Sequence, residues 1–332
     1  MNKILIVGDN HFIDKYEGFL ESQIEATKKA ILDTGIAEIV FLGDVSDSRK
    51  PKPNILLAIK DLLDSLKGCK IHILRGNHDS NDKSDDGVTY LKLFESRRVK
   101  IYNHIKDVKI QGRNFSFIPH YENEEVIIKK YTMLPPETIA FGHFGYIGCI
   151  NGVPDYAFSI SPRDISCFSI IGHIHRNNRS GLINVVGTPY PIGFYDSELN
   201  CGTLGVLTFD ESHEELDFID INGGPRFVTK HSSQLQDLKL SENTYNVVRV
   251  LLDSDSDKYT PDLIKELISK YPIKWVDIRV VPKVDSIPKE QSGISIKQIM
   301  DKSILDQYLE KVDLPFSRED LMKVYTYIKN EN

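Results

Sequence analysis

Gly76-Asn77-His78-Asp79 follows the apolar run Ile71-His72-Ile73-Leu74, so an Asn, a His and an Asp stand in a turn at the end of a buried strand. Asn offers a cation a neutral oxygen, and His offers a ligand nitrogen or a proton. Four more apolar runs end the same way, in Gly8-Asp9-Asn10-His11, Gly43-Asp44, Gly142-His143 and Gly172-His173-Ile174-His175. Strand ends are where open α/β sheets carry their chemistry. Together the five sites supply Asp9, His11, Asp44, Asn77, His143, His173 and His175, expected on one side of a sheet. A mixed oxygen and nitrogen set without thiolate suits Mn²⁺, Fe²⁺ or Zn²⁺ in a site that keeps open positions. Seven side chains exceed the needs of one ion, so two ions sharing a bridging carboxylate are expected. Such a pair, about 3.5–4 Å apart, clamps the attacking and leaving oxygens of phosphoryl transfer and lowers the pKa of water. His78 is then the spare imidazole, placed to stabilise the phosphate or protonate the leaving oxygen. One His or one Gly-Asp turn is more often structural, but that reading leaves five sites of one kind unexplained.

The elements that must position these residues alternate strand and helix. Ile4–Val7, Ile39–Leu42 and Ile71–Leu74 read as buried strands, with helices over 16–33 and Asn54–Leu66 between them. Gly35 stops the first helix. This is the pattern of a layered sheet with helices outside. From about residue 99 the pattern turns to β, with strands expected at 115–118, 138–141, 167–171, 183–186, 204–209 and 215–219. Residues 121–137 read as a polar segment ending in Pro135-Pro136, and Asn222-Gly223-Gly224-Pro225 as a domain break. Beyond it lie a strand at Tyr245–Leu252, a helix at Pro261–Lys270 and a strand at Trp275–Val281. A polar linker and two amphipathic helices then close the chain.

The chain has 332 residues, 40% apolar and 27% charged, with a net charge of −7. It can bury a large core. It is not globally basic, so any nucleic-acid contact must come from local patches, bound metal or a partner. Cys69, Cys149, Cys167 and Cys201 form no C-x-x-C pair and read as reduced thiols. The first residues enter a strand directly and no apolar run reaches membrane-spanning length, which predicts a cytoplasmic protein.

The D-x-H at Asp9/His11, the G-D-x-x-D at Asp44/Asp47, the G-N-H-D at 76–79, the G-H at 142–143 and the G-H-x-H at 172–175 resemble the calcineurin-like dinuclear metallophosphoesterase superfamily, in order and spacing. Asp44-Val45-Ser46-Asp47-Ser48-Arg49-Lys50-Pro51 and Val186-Gly187-Thr188-Pro189-Tyr190 further resemble SbcD-type DNA repair and recombination nucleases, with a size like the bacteriophage branch. The resemblance implies an α/β fold: a metallophosphoesterase β-sandwich with flanking helices (1–222), a small α/β capping domain (226–282), a linker (283–296) and an ATPase-docking helix–loop–helix (297–329). It also implies one metal held by Asp9, His11, Asp44 and His175, and a second held by Asp44, Asn77, His143 and His173. Asp44 bridges the two, and His78 is the catalytic non-ligand. Many relatives carry a second histidine where Asp47 stands; here Asp47 is expected to orient His78 and raise its pKa.

The implied activity is cleavage of DNA phosphodiesters with two divalent cations, Mn²⁺ ahead of Mg²⁺, Fe²⁺ or Zn²⁺. The implied setting is a homodimer within a heterotetramer that includes an SbcC-like ABC ATPase. A stand-alone phosphodiesterase or phosphatase acting on small molecules or nucleotides is the alternative reading. Arg49, Arg176 and Arg179 are the candidate phosphate contacts.

Overall fold

The computed structural model describes residues 1–150, 158–199, 201–253 and 261–281, which fall in one compact unit, Met1–Val281. The linker expected at 283–296 and the helix pair expected at 297–329 lie outside the described residues.

Four parallel strands begin the chain: β1 (Asn2–Val7), β2 (Glu38–Phe41), β3 (Lys70–Leu74) and β4 (Val99–Tyr102). Crossing between them are α1 (Phe19–Thr34) and α2 (Pro53–Ser65). Their near-continuous apolar runs suit strands covered on both faces. Alternation decides which side chain goes where. In β1, Leu5 and Val7 face a core built with Leu20, Ile24, Ile59 and Leu62 of the two helices. Ile4 and Ile6 face the other way, into a core shared with a second sheet. Each fully buried Leu or Ile contributes about 1.5–3 kcal/mol. Gly35 ends α1 with φ 65°, the left-handed turn that glycine adopts without strain.

The second sheet follows: β5 (Lys106–Ile110), β6 (Arg113–Ile118), β7 (Ile139–His143), β8 (Phe168–Gly172), β9 (Asn178–Ser180) and β10 (Ile183–Val185), in the order β5-β6-β7-β8-β10-β9. Phe115, Phe117, Phe141 and Ile170 fill the space between the sheets. On the outside lies α3 (Glu124–Thr132), which buries Ile127 and Tyr131. Residues 121–137 are therefore not merely a polar segment. Asn123 caps the helix, its side chain accepting from the Glu125 N–H, and two acidic residues occupy the first turn. The chain then returns to the first sheet as β11 (Thr203–Phe209), antiparallel to β1, and the edge strand β12 (Glu214–Asp220). The fold is thus a mixed α/β sandwich, two six-stranded sheets with helices outside.

Gly223-Gly224 leads directly into another strand. β13 (Pro225–His231), β14 (Tyr245–Asp253) and β15 (Ile273–Val281) form a parallel three-stranded sheet, with α4 (Pro261–Lys270) as the β14–β15 crossover. Phe227, Tyr245 and Val247 pack it onto Phe19 of α1.

Candidate metal centre

Asp9, Asp44 and Asn77 follow the adjacent strands β1, β2 and β3 of the first sheet. His143 closes β7 and His173 follows β8, in the second sheet. The cluster expected on one side of a single sheet is thus built where two sheets meet. Two glycines make the approach possible. A Cβ on Gly76 would lie 2.1 Å from Asp44 Oδ1, and one on Gly43 would lie 2.7 Å from His143 Nδ1. His11, Asp44 and His173 hold positive φ angles of 45°, 48° and 84°. Such conformations cost about 1–3 kcal/mol each and persist where the surroundings over-determine them. Asp79 supplies part of that determination. Its buried carboxylate accepts from Val45 N–H (3.0 Å), Gly76 N–H (2.9 Å) and the Tyr90 hydroxyl, tying the turns after β2 and β3 together.

Two groups of ligand atoms result. Those of His11, Asp44 and His78 lie within 4.8 Å of one another, as do those of Asp44, His143 and His173. Asp44 belongs to both. Its Oδ2 is 3.6 Å from His11 Nε2 and 3.5 Å from His143 Nε2, while Oδ1 accepts the His78 backbone N–H at 2.8 Å. Asn77 Oδ1 is 3.0 Å from His143 Nε2 and 2.9 Å from His173 Nδ1. His143 Nδ1 donates to the Leu42 carbonyl at 2.8 Å, which turns Nε2 into the site. His175 stands 5.0 Å from His11, ring to ring. Asp9 Oδ1 accepts the His173 N–H at 2.8 Å.

The set fits divalent cations. Asp9 Oδ2 is buried with no hydrogen-bond partner, and His11 Nε2 makes no hydrogen bond either. A buried carboxylate oxygen left unpaired is costly unless a cation or proton meets it. Burial, with Asp44 nearby, pushes the Asp9 carboxyl up. Burial would also raise Asp44, but His143 and His11 hold it well below the usual carboxylate range. Burial would lower His143, yet Asp44 and Asp9 raise it to about 9. Burial and the neighbouring His143 push His173 down to about 3, leaving a neutral imidazole with a lone pair to give.

The remaining candidates fall differently. Asp47 reaches His78 through its carbonyl oxygen, 2.7 Å from His78 Nδ1; its carboxylate stands 3.2 Å from His11 Nδ1 instead. His78 Nδ1 must donate to that carbonyl, so Nε2 is the atom free for chemistry. Arg49 is half-buried and held by the Asp82 carbonyl and by Glu122 at 3.3 Å. Arg179 donates to the Leu216 carbonyl and lies over the Phe218 ring. Arg176 is exposed and lines the groove beside His173 and His175.

Two residues at the site were not singled out from the sequence. Asp196 Oδ1 is 3.0 Å from His175 Nδ1, a carboxylate placed to fix that ring's tautomer and leave Nε2 to a cation. His120 lies 5.9 Å from His173 and 6.1 Å from His143, ring to ring, with no hydrogen bond at either nitrogen. Arg75 grips its backbone from both sides, giving its carbonyl to the His120 N–H and its guanidinium to the His120 carbonyl. Neither residue follows a Gly at the end of an apolar run, the signal that marked the others.

No curated protein matches this chain. Among solved structures it is similar to an archaeal phosphodiesterase (17% identity, 65% of this chain and 99% of that one, TM-score 0.35). It is also similar to a dimetal phosphatase from Danio rerio (12%, 67% and 99%, TM-score 0.41) and to the protein TT1561 of Thermus thermophilus (13%, 67% and 99%, TM-score 0.40). The family pattern of the calcineurin-like phosphoesterases matches residues 2–177, more than half of the sequence, and spans all seven ligand-type side chains and His78. It runs through the His143 and His173 strand ends that close the second cluster, so the chain belongs to the calcineurin-like phosphoesterase family.

Proposed function

We propose that this phosphoesterase is the nuclease subunit of a DNA-processing complex. The observation that carries the phosphodiester chemistry is the sharing of Asp44 between two ligand clusters. In this reading Asp9, His11, Asp44 and His175 hold one divalent cation, and Asp44, Asn77, His143 and His173 the other. Cations so held supply positive charge to phosphoryl oxygens and acidity to water. The chain's own residues do the rest. His78, anchored at Nδ1 by the Asp47 carbonyl, presents Nε2 to the leaving oxygen and delivers its proton. Arg176, without an ion pair among the described residues, meets the phosphate. DNA as the substrate, the SbcC-like ATPase partner, Mn²⁺ as the metal and the homodimer rest on the likeness of residues 44–51 and 186–190 to SbcD-type nucleases.

The test is degradation of end-labelled linear duplex DNA with Mn²⁺, Mg²⁺ or EDTA, comparing wild type with His78→Ala. Cleavage that needs Mn²⁺ and drops about 10²–10⁴-fold in the variant is expected, the usual worth of a general acid. The variant should keep both metals by elemental analysis. Because His78 shares a cluster of ligand atoms with His11 and Asp44, metal loss in the variant would move His78 from proton donor to ligand. Hydrolysis of small esters without DNA cleavage, even with the ATPase added, would favour the small-molecule phosphodiesterase.

A further inference from the structure

Packing holds His175 less firmly than its neighbours in the cluster. Its side chain is 31% exposed, against 0–4% for Asp9, His11, Asp44 and His143. What fixes its ring is Asp196, with one carboxylate oxygen 3.0 Å from His175 Nδ1 and the other accepting the Ile192 N–H at 3.1 Å. Asp196 is itself buried, at the start of the short turn Asp196–Glu198. Phe194, two residues earlier, is gripped by the three-stranded sheet. The Arg249 guanidinium of β14 lies 3.8 Å from the Phe194 ring centroid, and the Phe227 ring of β13 meets it edge-on at 5.0 Å. Asp277 Oδ2 of β15 holds that guanidinium at Nε (2.8 Å) and at a terminal nitrogen (2.7 Å), two contacts that orient the planar cation. Ser197 Oγ closes the turn by donating to the Phe194 carbonyl at 2.7 Å. A continuous run of contacts therefore leads from β15 to one ligand: Asp277, Arg249, Phe194, Asp196, His175. Asn77, His143 and His173 are tied to one another and to the Leu42 carbonyl instead.

We propose that Arg249 is a positioning residue for the cation held at His175: by seating Phe194 it holds the turn in which Asp196 fixes the His175 ring. The proposal rests on the assignment of His175 to one of two cations and is independent of which phosphoester is cut. It makes the seating of the three-stranded sheet and the filling of one cation position a coupled equilibrium, in which each favours the other. The cation at Asn77, His143 and His173 stands outside that coupling.

The test is calorimetric titration of Mn²⁺ into the metal-free full chain, for wild type, Arg249→Ala, Arg249→Lys, Phe194→Leu, His175→Ala and the combination of Arg249→Ala with His175→Ala. Wild type should take up two cations. Arg249→Ala and Phe194→Leu should each weaken one of them about fivefold or more, the lower end of coupling between sites, and leave the other unchanged. Arg249→Lys, which keeps a positive charge for the ring, should recover part of the loss. In His175→Ala, adding Arg249→Ala should change nothing further, because both act on the same cation. Trp275, the only Trp of the chain, stacks on Tyr16 at 4.7 Å, so its emission reports whether the sheet stays seated. If Arg249→Ala unseats it, Phe194→Leu, which alters no residue of that sheet, decides. Equal weakening of both cations, or wild-type affinity for both in Phe194→Leu, overturns the proposal. Two cations bound with wild-type affinity by His175→Ala would remove the ligand assignment and the relay with it. Failure of the nuclease reading would leave every one of these titrations as stated.

Discussion

Two histidine–carboxylate clusters are buried along the same strands, and they are finished to different degrees. Glu38 opens β2, and His72 lies in β3 with one ring nitrogen 2.8 Å from Glu38 Oε1 and the other 2.8 Å from the Tyr102 hydroxyl. Its ring lies beside the stacked Tyr102 and Phe117 rings, 5.7 Å from one and 5.5 Å from the other. Past the other end of those strands stand Asp44 and Asn77, among groups that include an orphaned Asp9 oxygen, two unbonded His120 nitrogens and three backbone positions at positive φ. The first cluster satisfies itself and the second does not. Buried polar groups are normally paired, so unmatched ones point outward from the chain to something it binds. A histidine beside a buried carboxylate is no indication of chemistry by itself. Incomplete pairing together with backbone strain is the more telling sign.

The contrast can be broken by substitution. Asp44→Asn should weaken both cations by more than ~100-fold, the upper end for losing even an outer partner of a ligand, and turnover should fall with them. Elemental analysis after gel filtration would read this, and retention of one cation would contradict the shared carboxylate. His72→Ala should leave cation content unchanged but cost about 1–3 kcal/mol of stability by removing one partner of the Glu38 carboxylate, which keeps Lys70 at 3.7 Å, seen in denaturant unfolding. A wild-type midpoint would mean that the Glu38–His72 pair is not structural. Asp196→Asn should sit between the two kinds of effect, lowering affinity for the cation at His175 about 10–100-fold with an unchanged melting temperature in EDTA. The smallest effect is acid sensitivity. Burial would raise Glu38, but the hydrogen bond from His72 and its charge hold the carboxyl below its usual 4.5. Its stabilising contribution is therefore complete above pH 4.5 and lost as pH falls through the lower folded value. His72→Ala should flatten that part of the acid unfolding curve, and an unaltered curve would assign the acid sensitivity elsewhere.

What could be read from sequence was whatever is local. Asp9, Asp44, Asn77, His143 and His173 each follow an apolar run that can only be a buried strand, so their strand-end placement needed no tertiary knowledge. That two sheets and not one bring them together was implied only by the family resemblance, because the switch to a second sheet leaves the same alternating pattern. Asp47 shows a finer limit. Its nearness to His78 was implied by the family resemblance of the G-D-x-x-D motif, but whether a carbonyl or a carboxylate arrives depends on backbone geometry across the sandwich. His120 follows Pro119 just before the segment that reads as polar, and the Arg75 clasp holds its backbone beside His173. The strand β13 was obscured by the Gly-Gly-Pro at its start, a turn signal that is real but ends at Pro225, the strand's first residue.

The pairing of β1 has a consequence for how the protein is made. Asn2–Ile6 lies between β2 and β11, whose partner residues run from Gly205 to Phe209. Asp9, at the end of that first strand, thus waits on a neighbour synthesised some two hundred residues later. Contacts of such long range are slow to form and leave a strand edge open meanwhile. A ribosome-bound chain ending before Thr203 would carry its early ligands on an unclosed sheet. The centre should therefore come into being in one late step, when the returning strand closes on the first.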